Sequence, residues 1–203
     1  PLLSLAMVSE GITNLLAGLE RFFDYMDTEP DIRDAPDAVD LGRARGAIEF
    51  RHVHFRYDNT PILHDINLSI EPGETVALVG PSGAGKTTIT RLIPRFYEPQ
   101  EGELLVDGVD VRQIQIASLR DNIGIVMQDD YLFSDSLFNN IAYGRPDAAR
   151  EDVIEASRKG NVDQFADDLP RGYDTEIGQR GTKVSEGQAQ RISVARAILK
   201  DAP

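Results

Sequence analysis

Hydrophobic and polar positions divide the chain into three stretches of different character. In residues 1–27, apolar residues recur at alternating intervals of three and four, at Leu5, Val8, Ile12, Leu15, Leu19, Phe22 and Met26. This spacing is typical of a helix that packs along another helix, and it also suits a helix that folds back on its own domain. Residues 28–45 are rich in Asp, Glu and Pro, which indicates an acidic linker. Globular patterning begins at residue 46.

Short apolar runs in the globular part predict several strands. Residues 48–57 alternate as a strand does, but their apolar parity shifts between Phe50 and Val53, which predicts a β-bulge. Residues 62–70 form a second predicted strand. Residues 104–106 form a third, which ends in an Asp-Gly turn.

Two uncharged runs predict buried strands: residues 75–79, a parallel one, and residues 123–127. Between residue 136 and about residue 168 the pattern becomes helical and polar, with turn signals at residues 144–146 and 160–161. This block predicts a small helical subdomain on the strand core. A last apolar-periodic helix follows residue 185, and we interpret its arginines, Arg191 and Arg196, as surface residues.

The clearest chemistry follows the first of these two uncharged runs. Residues 80–87 match G-x-x-x-x-G-K-[ST], and a helix is predicted over residues 87–93 before a proline. Glycines let the backbone approach an anion, and N–H groups at a helix N-terminus converge on it. Lys86 would contact the β- and γ-phosphates, and the Thr87 hydroxyl would bind Mg²⁺. The alternative is an ordinary glycine-rich turn. The residues assigned to the nucleotide here are Gly80, Pro81, Ser82, Gly83, Ala84, Gly85, Lys86, Thr87 and Thr88.

Composition and charge restrict the classes of function and the cellular compartment that we expect for this chain. The net charge of −13 argues against a nucleic-acid surface, which needs clustered Lys and Arg. No cysteine is present among the 203 residues, so a reducing compartment is expected. No apolar run approaches the roughly 20 residues of a membrane span. The chain begins at Pro1 and ends right after a helix, so we interpret it as a fragment of a longer protein.

Together with the phosphate loop, further motifs over about residues 46–203 resemble the nucleotide-binding domain of an ATP-binding cassette (ABC) transporter. Tyr57 matches the aromatic residue that stacks on adenine in that family; a core tyrosine is the alternative. Gln128 resembles the glutamine that contacts Mg²⁺ and the attacking water. The resemblance implies catalytic roles for Lys86 and Gln128, and it implies Thr87 and Gln128 as metal ligands.

Residues 184–191 resemble the family signature L-S-G-G-Q, which faces the γ-phosphate held by a second subunit through Ser185, Gly187 and Gln188. The same Ser-x-x-Gln pattern is also a capping box for any helix. Glu186 departs from the signature, and its carboxylate would compete with phosphate for the positive end of the helix. This departure suggests a weakened site or a side chain that points into solvent.

Residues 175–181 resemble a segment of the family's exporters that contacts the helices of the membrane domain. The resemblance therefore implies an α/β P-loop ATPase core with an N-terminal antiparallel β subdomain and a helical subdomain at about residues 135–190. It also implies that residues 1–27 are a helical extension from a membrane domain, joined through the linker to the ATP-binding domain in residues 46–203.

The resulting hypothesis is an ATP-binding subunit of an ABC exporter, with ATP and Mg²⁺ as ligands, at the cytoplasmic face of the cell membrane. Its expected partners are a second nucleotide-binding domain and a transmembrane domain, and no nucleic acid. Alternatives are a soluble ABC-type ATPase and a degenerate regulatory half of a heterodimer. The family's Walker B aspartate, catalytic glutamate and switch histidine are absent, so we expect negligible hydrolysis and marginal stability. His52 and His54 form a weak metal candidate.

Overall fold

The computed structural model describes residues 2–127, 131–178 and 183–203. The chain forms two compact units, Pro1–Arg33 and Asp34–Pro203. The first unit contains one helix, α1 (Leu2–Met26), on which the described side chains from residue 11 onward are exposed. Within the described ranges, no helix combines the length and the apolar character that crossing a membrane requires.

The second unit begins with a four-stranded antiparallel sheet in the order β2–β1–β3–β4. Its strands are β1 (Ile48–Tyr57), β2 (Thr60–Ile70), β3 (Glu101–Val106) and β4 (Val109–Asp110). The bulge predicted in β1 is confirmed, because its pairing with β2 shifts between Phe50 and Val53 and because His52 has a φ of +48°. The shift brings Phe50, Val53 and Phe55 all into the core.

The first hydrophobic core lies between this sheet and two short helices, α2 (Lys86–Leu92) and α3 (Ile116–Asp121). Leu92 of α2 and Leu119 of α3 are fully buried against β1 and β3 residues. A 3₁₀ turn, Val111–Gln113, leads from β4 toward α3. The helix that follows the phosphate loop is therefore anchored in the same core as β1.

The second hydrophobic core is built by helices. They are α4 (Leu137–Ala142), α5 (Arg150–Lys159), α6 (Asp163–Ala166) and α7 (Glu186–Lys200). Two short strands, β5 (Asp135–Ser136) and β6 (Glu176–Ile177), pair beside them, and a 3₁₀ turn (Gly172–Asp174) precedes β6. The predicted turn at residues 160–161 separates α5 from α6, where Asn161 has a φ of +56°.

The prediction of buried strands at residues 75–79 and 123–127 is wrong for this structure. Neither run pairs with a strand within the described ranges, and the side chains of Val79 and Met127 are 89% and 54% exposed. A buried parallel strand needs hydrogen-bonded neighbours and cover on both faces. The residues that the structure describes do not supply them, so apolar composition alone does not produce strands here.

Part of the acidic stretch that the sequence suggests is a linker lies against the domain. Val39 pairs with Ile114 in a parallel bridge; its N–H donates to the Gln113 carbonyl (2.8 Å), and its carbonyl accepts from the Gln115 N–H (2.9 Å). The side chain of Asn122 continues this contact by accepting from the N–H of residue 44 (2.8 Å). These bonds fasten the segment before β1 to both ends of α3, at residues 113–115 before the helix and at Asn122 after it.

A buried amide holds the second core together. The Asn140 side-chain oxygen accepts from the Phe133 N–H (2.9 Å) and from Arg196 (2.7 Å), while its NH₂ group donates to the carbonyls of Phe133 (3.0 Å) and Ser136 (3.0 Å). Arg196, on α7, also donates to the Tyr131 carbonyl (2.6 Å). The interpretation of Arg196 as a surface residue is therefore wrong, because it joins the segment after residue 130 to α7.

We predict that Asn140→Ala lowers the free energy of unfolding by about 2–4 kcal/mol, because buried donors and acceptors lose their partner. Urea denaturation followed by circular dichroism measures the change. Asn139→Ala is the matched control on the same helix. Asn139 is exposed and its side-chain NH₂ group donates to the exposed Asp135 carboxylate at 2.8 Å, so the loss in Asn139→Ala should stay within about 0.5 kcal/mol. Equal losses in the two variants would contradict the prediction.

Candidate nucleotide-binding site

The phosphate loop depends on glycine for both conformation and space. Gly83 and Gly85 have φ values of +83° and +85°, a region that favours glycine. A Cβ atom at Gly85 would lie 2.6 Å from Cδ2 of Leu63, whereas one at Gly83 would meet no atom within 4 Å. Strand β2 therefore packs directly on the loop at its last glycine, and α2 begins at the next residue.

The Lys86 ammonium lies across the loop. Its Nζ donates to the carbonyl oxygens of Gly80 (2.9 Å) and Pro81 (2.8 Å). Within the described ranges, Lys86 forms no ion pair. The partners of this cation are neutral carbonyls, and the backbone of the loop approaches it closely. This arrangement fits an anionic ligand such as a triphosphate.

The two threonines of the motif lie in different surroundings. Thr87 is exposed in the first turn of α2, whereas Thr88 is 5% exposed in the first core. A hydroxyl must reach its cation, so Thr87 fits a magnesium ligand. Thr88 is better placed to anchor the helix than to contact a ligand through its side chain.

Tyr57 is the last residue of β1 and belongs to an aromatic cluster. Its ring meets those of Phe55 and Tyr97 edge to face, with centroids 4.8 and 5.0 Å apart. Phe55 pairs with Leu63, the residue that covers Gly85. The tyrosine is half-buried, and its buried hydroxyl has no hydrogen-bond partner within the described part of the chain. One chain of contacts thus joins the Tyr57 ring to the phosphate loop.

The signature segment caps α7. The Ser185 hydroxyl accepts from the Gln188 N–H (3.3 Å), and the Gln188 side chain accepts from the Ser185 N–H (2.8 Å). The capping box that the sequence offers as an alternative is therefore present. It uses the acceptor capacity of the serine, and the hydroxyl proton stays available to a ligand. Glu186 and Gly187 are exposed in the first turn.

Some candidate residues lie outside the described residues. They are Gln128 and residues 179–181 of the exporter-like segment. The beginning of that segment is held firmly: the Thr175 hydroxyl accepts from the Arg171 N–H (2.9 Å), and Ile177 is buried in β6. A Cβ atom at Gly178, whose φ is +97°, would lie 2.7 Å from the Phe133 carbonyl oxygen.

The histidines of β1 form a different arrangement. His52 Nδ1 lies 2.7 Å from a carboxylate oxygen of Asp65, and this hydrogen bond is the main cause that lowers the Asp65 pKa. The His54 ring contacts the His64 ring, at a centroid distance of 6.2 Å. Across the described ranges, no group of three His, Cys, Asp or Glu residues could hold a metal ion. The histidine pair thus gains no third ligand.

Sequence reasoning missed Asn140 and Gln100 and misinterpreted Arg196, which support the candidate site from outside the motifs. Arg196 and Asn140 join α7 to the segment after residue 130, and Gln100 bonds to the backbone of Arg56 beside Tyr57. None of these residues stands in a phosphate-loop or signature pattern. Their partners are mostly main-chain atoms of distant segments, so no local spacing could reveal them.

Comparison with known proteins gives a consistent result. A family model described as ABC transporter matches residues 63–203. The ATP-dependent lipid A-core flippases of Syntrophus aciditrophicus (strain SB) and Legionella pneumophila (strain Paris) are 50% identical over 203 residues and 47% identical over 204 residues. These matches cover 100% of this chain and 34% of each relative.

A solved structure of a bacterial Atm1-family ABC exporter with ATP bound is also similar. It matches with a TM-score of 0.89 at 44% sequence identity, over 98% of this chain and 35% of that chain. The fold is therefore that of a P-loop ATPase of the ABC type, as the sequence resemblance implies. The chain spans about a third of the length of the relatives it matches.

We predict that Gly85→Ala lowers the free energy of unfolding by about 2–4 kcal/mol, through a strained left-handed backbone and a clash with Leu63. Gly83→Ala is the matched control, since its φ is nearly the same and its Cβ meets no atom within 4 Å. It should lose only the backbone contribution, about 1–2 kcal/mol. Urea denaturation compares the two, and equal losses would show that Leu63 does not constrain the loop.

Proposed function

Because this chain belongs to the ABC transporter family and resembles its ATP-binding part, we propose that it is the ATP-binding subunit of an ABC exporter that hydrolyses ATP in the intact protein. The observation that carries the proposal is the phosphate loop, in which Lys86 contacts neutral carbonyls of a glycine-dependent turn at the start of α2. Binding a triphosphate exchanges these carbonyls for charged phosphate oxygens, and charge-assisted hydrogen bonds are roughly twice as strong as neutral ones.

The other motif residues take complementary roles. Thr87, together with Gln128, would hold Mg²⁺, which neutralises charge between the β- and γ-phosphates when it is bound. Tyr57 would stack on adenine. Ser185 and Gly187, with Gln188, would face the γ-phosphate of an ATP held by a second nucleotide-binding domain. The last assignment is supported by the exposure of Ser185, Glu186 and Gly187 at the start of α7.

Transport is the proposed outcome of this ATP binding. Two such domains that close on shared ATP would change the spacing of the membrane domains attached to them, at the cytoplasmic face of the membrane. The separate helical unit Pro1–Arg33 with its exposed apolar side chains supports an extension from a membrane domain. It also disfavours the soluble ABC-type ATPase. The names of the flippase relatives describe those proteins. Neither the phosphate loop nor the signature segment identifies the substrate that this protein would transport.

We predict that Lys86→Ala weakens the binding of Mg²⁺-ATP at least tenfold, because the loop loses the cation that contacts the β- and γ-phosphates. Isothermal titration calorimetry on the 203-residue chain measures the change. Lys159→Ala is the control, since Lys159 pairs with Glu155 on α5 at 2.8 Å, and it should bind ATP as the wild type does.

Equal affinities of the wild type and Lys86→Ala would contradict the proposed function. Phosphate release can be measured on the same two proteins. In the ABC family a switch histidine follows the phosphate loop, whereas all three histidines of these 203 residues precede it. We therefore propose that residues 1–203 alone release phosphate no faster than Lys86→Ala does.

A second candidate function is a regulatory half of a heterodimer, and Glu186 favours it. Glu186 lies in the first turn of α7, the turn that would otherwise face a phosphate. A carboxylate at this position stabilises a helix by about 0.3–1 kcal/mol. The gain in helix stability therefore opposes the binding of an anion at the same place.

We predict that Glu186→Gly strengthens the ATP-dependent association of two nucleotide-binding domains about threefold or more, since the competing charge is removed. Analytical ultracentrifugation with and without Mg²⁺-ATP measures it on the complete nucleotide-binding domain. Glu151→Gly is the matched control, because Glu151 occupies the first turn of another helix, α5. Unchanged association in Glu186→Gly would mean that this carboxylate does not face the nucleotide.

A further inference from the structure

The β1–β2 hairpin extends beyond the rest of the sheet at its Tyr57 end. The last pair between β1 and β3 is His54 with Glu101, where β3 begins, whereas β1 and β2 remain paired as far as Tyr57 and Thr60. A ribbon of two strands is marginally stable by itself. The part of β1 that carries Tyr57 therefore needs a contact that β3 does not provide.

Gln100, the residue before β3, supplies that contact. Its backbone N–H donates to the His54 carbonyl (3.2 Å), its side-chain oxygen accepts from the Arg56 N–H (2.9 Å), and its side-chain NH₂ donates to the Arg56 carbonyl (3.3 Å). The amide thus offers one acceptor and one donor to a single residue, as a neighbouring strand does. On the other side, Arg56 lies opposite Pro61, which has no N–H to donate.

The segment that carries Gln100 also supports the Tyr57 ring. Tyr97 meets that ring edge to face at 5.0 Å and lies 5.7 Å from the Phe55 ring. The segment is anchored at its start, where buried Arg95, just beyond α2, donates to Glu98 (2.7 Å). Since the Tyr57 hydroxyl has no partner in the described ranges, ring contacts and the Arg56 peptide orient this side chain.

We propose that Gln100 is a positioning residue for adenine binding, which acts through the Arg56 peptide to hold Tyr57 in place. The inference rests on the proposed function, in which Tyr57 stacks on adenine. A platform that is already ordered loses less conformational entropy when a ligand binds. Gln100 bonds to β1 and not to the phosphate loop, so its effect should be selective for ligands that carry the base.

The test compares two probes, Mg²⁺-ATP and Mg²⁺-tripolyphosphate, which lacks the base. Gln100→Met keeps the length of the side chain and removes both amide hydrogen bonds. We expect it to weaken ATP binding by about three- to tenfold, as the loss of ordinary hydrogen bonds does, and to leave tripolyphosphate binding unchanged. Gln100→Glu retains an acceptor for the Arg56 N–H and should fall between Gln100→Met and the wild type. Hydrogen exchange at the Arg56 amide should be faster in Gln100→Met.

A double-mutant cycle separates positioning from general stability. Tyr57→Ala should weaken ATP binding by about five- to a hundredfold through lost stacking. Adding Gln100→Met to it should cause no further loss, because the ring that Gln100 positions is gone. Gln115→Met is the control: this exposed glutamine donates to the Ala38 carbonyl (3.2 Å), and ATP affinity should not change.

The outcomes distinguish this inference from the proposed function. Unchanged ATP affinity in Gln100→Met, equal losses for ATP and tripolyphosphate, or losses that add in the double mutant would each overturn the role of Gln100. A wild type that does not bind ATP, or an unaffected Lys86→Ala, would overturn the proposed function. An unaffected Tyr57→Ala would remove the adenine role of Tyr57, and the inference with it, while phosphate binding through Lys86 would stand.

Discussion

The contact between Leu63 and Gly85 is the constraint on which the candidate site depends. Strand β2 lies so close to the phosphate loop that even a methyl group at Gly85 would collide with it. The same leucine pairs with Phe55, whose ring contacts Tyr57. The turn proposed to bind phosphate and the ring proposed to stack on a base are therefore joined by two strands and one core, and a shift of the hairpin would move both. This explains why the antiparallel sheet is part of the site and not only its support.

The second hydrophobic core, built by α4 to α7, positions the signature segment, whereas the first core supports the phosphate loop. The second core presents the capped N-terminus of α7 at the surface, and Arg196 with Asn140 joins that helix to the segment after residue 130. A buried network in which each partner is satisfied is rigid, because the low local polarity makes a lost bond costly. Helix α7 and the segment that begins at Tyr131 are thereby held together. In the proposed dimer, the two ligand-facing parts of the chain would belong to separate cores.

The motif chemistry could be predicted from the sequence, and so could several local structures. The bulge between Phe50 and Val53 follows from a shift of apolar parity, and the Ser185 capping box follows from residues three apart. Such features depend on neighbours within a few residues. The runs at residues 75–79 and 123–127 show the opposite case: their apolar composition predicts buried strands, but burial requires partner strands, and none is described. Gln100 was missed and Arg196 was interpreted as a surface residue, because both bond to main-chain atoms far away in sequence.

By itself, the sequence determined the phosphate-loop motif, the bulge in β1 and the capping box of α7, because each follows from residue type at a fixed short spacing, and a family resemblance added Tyr57 and the signature residues as candidates. Only the tertiary structure decided that Leu63 limits Gly85 to glycine, that Thr88 faces the core while Thr87 is exposed, and that Gln100 and Tyr97 support Tyr57. These facts depend on which distant segments meet. A pattern within one segment carries no information about the atoms that another segment brings against it.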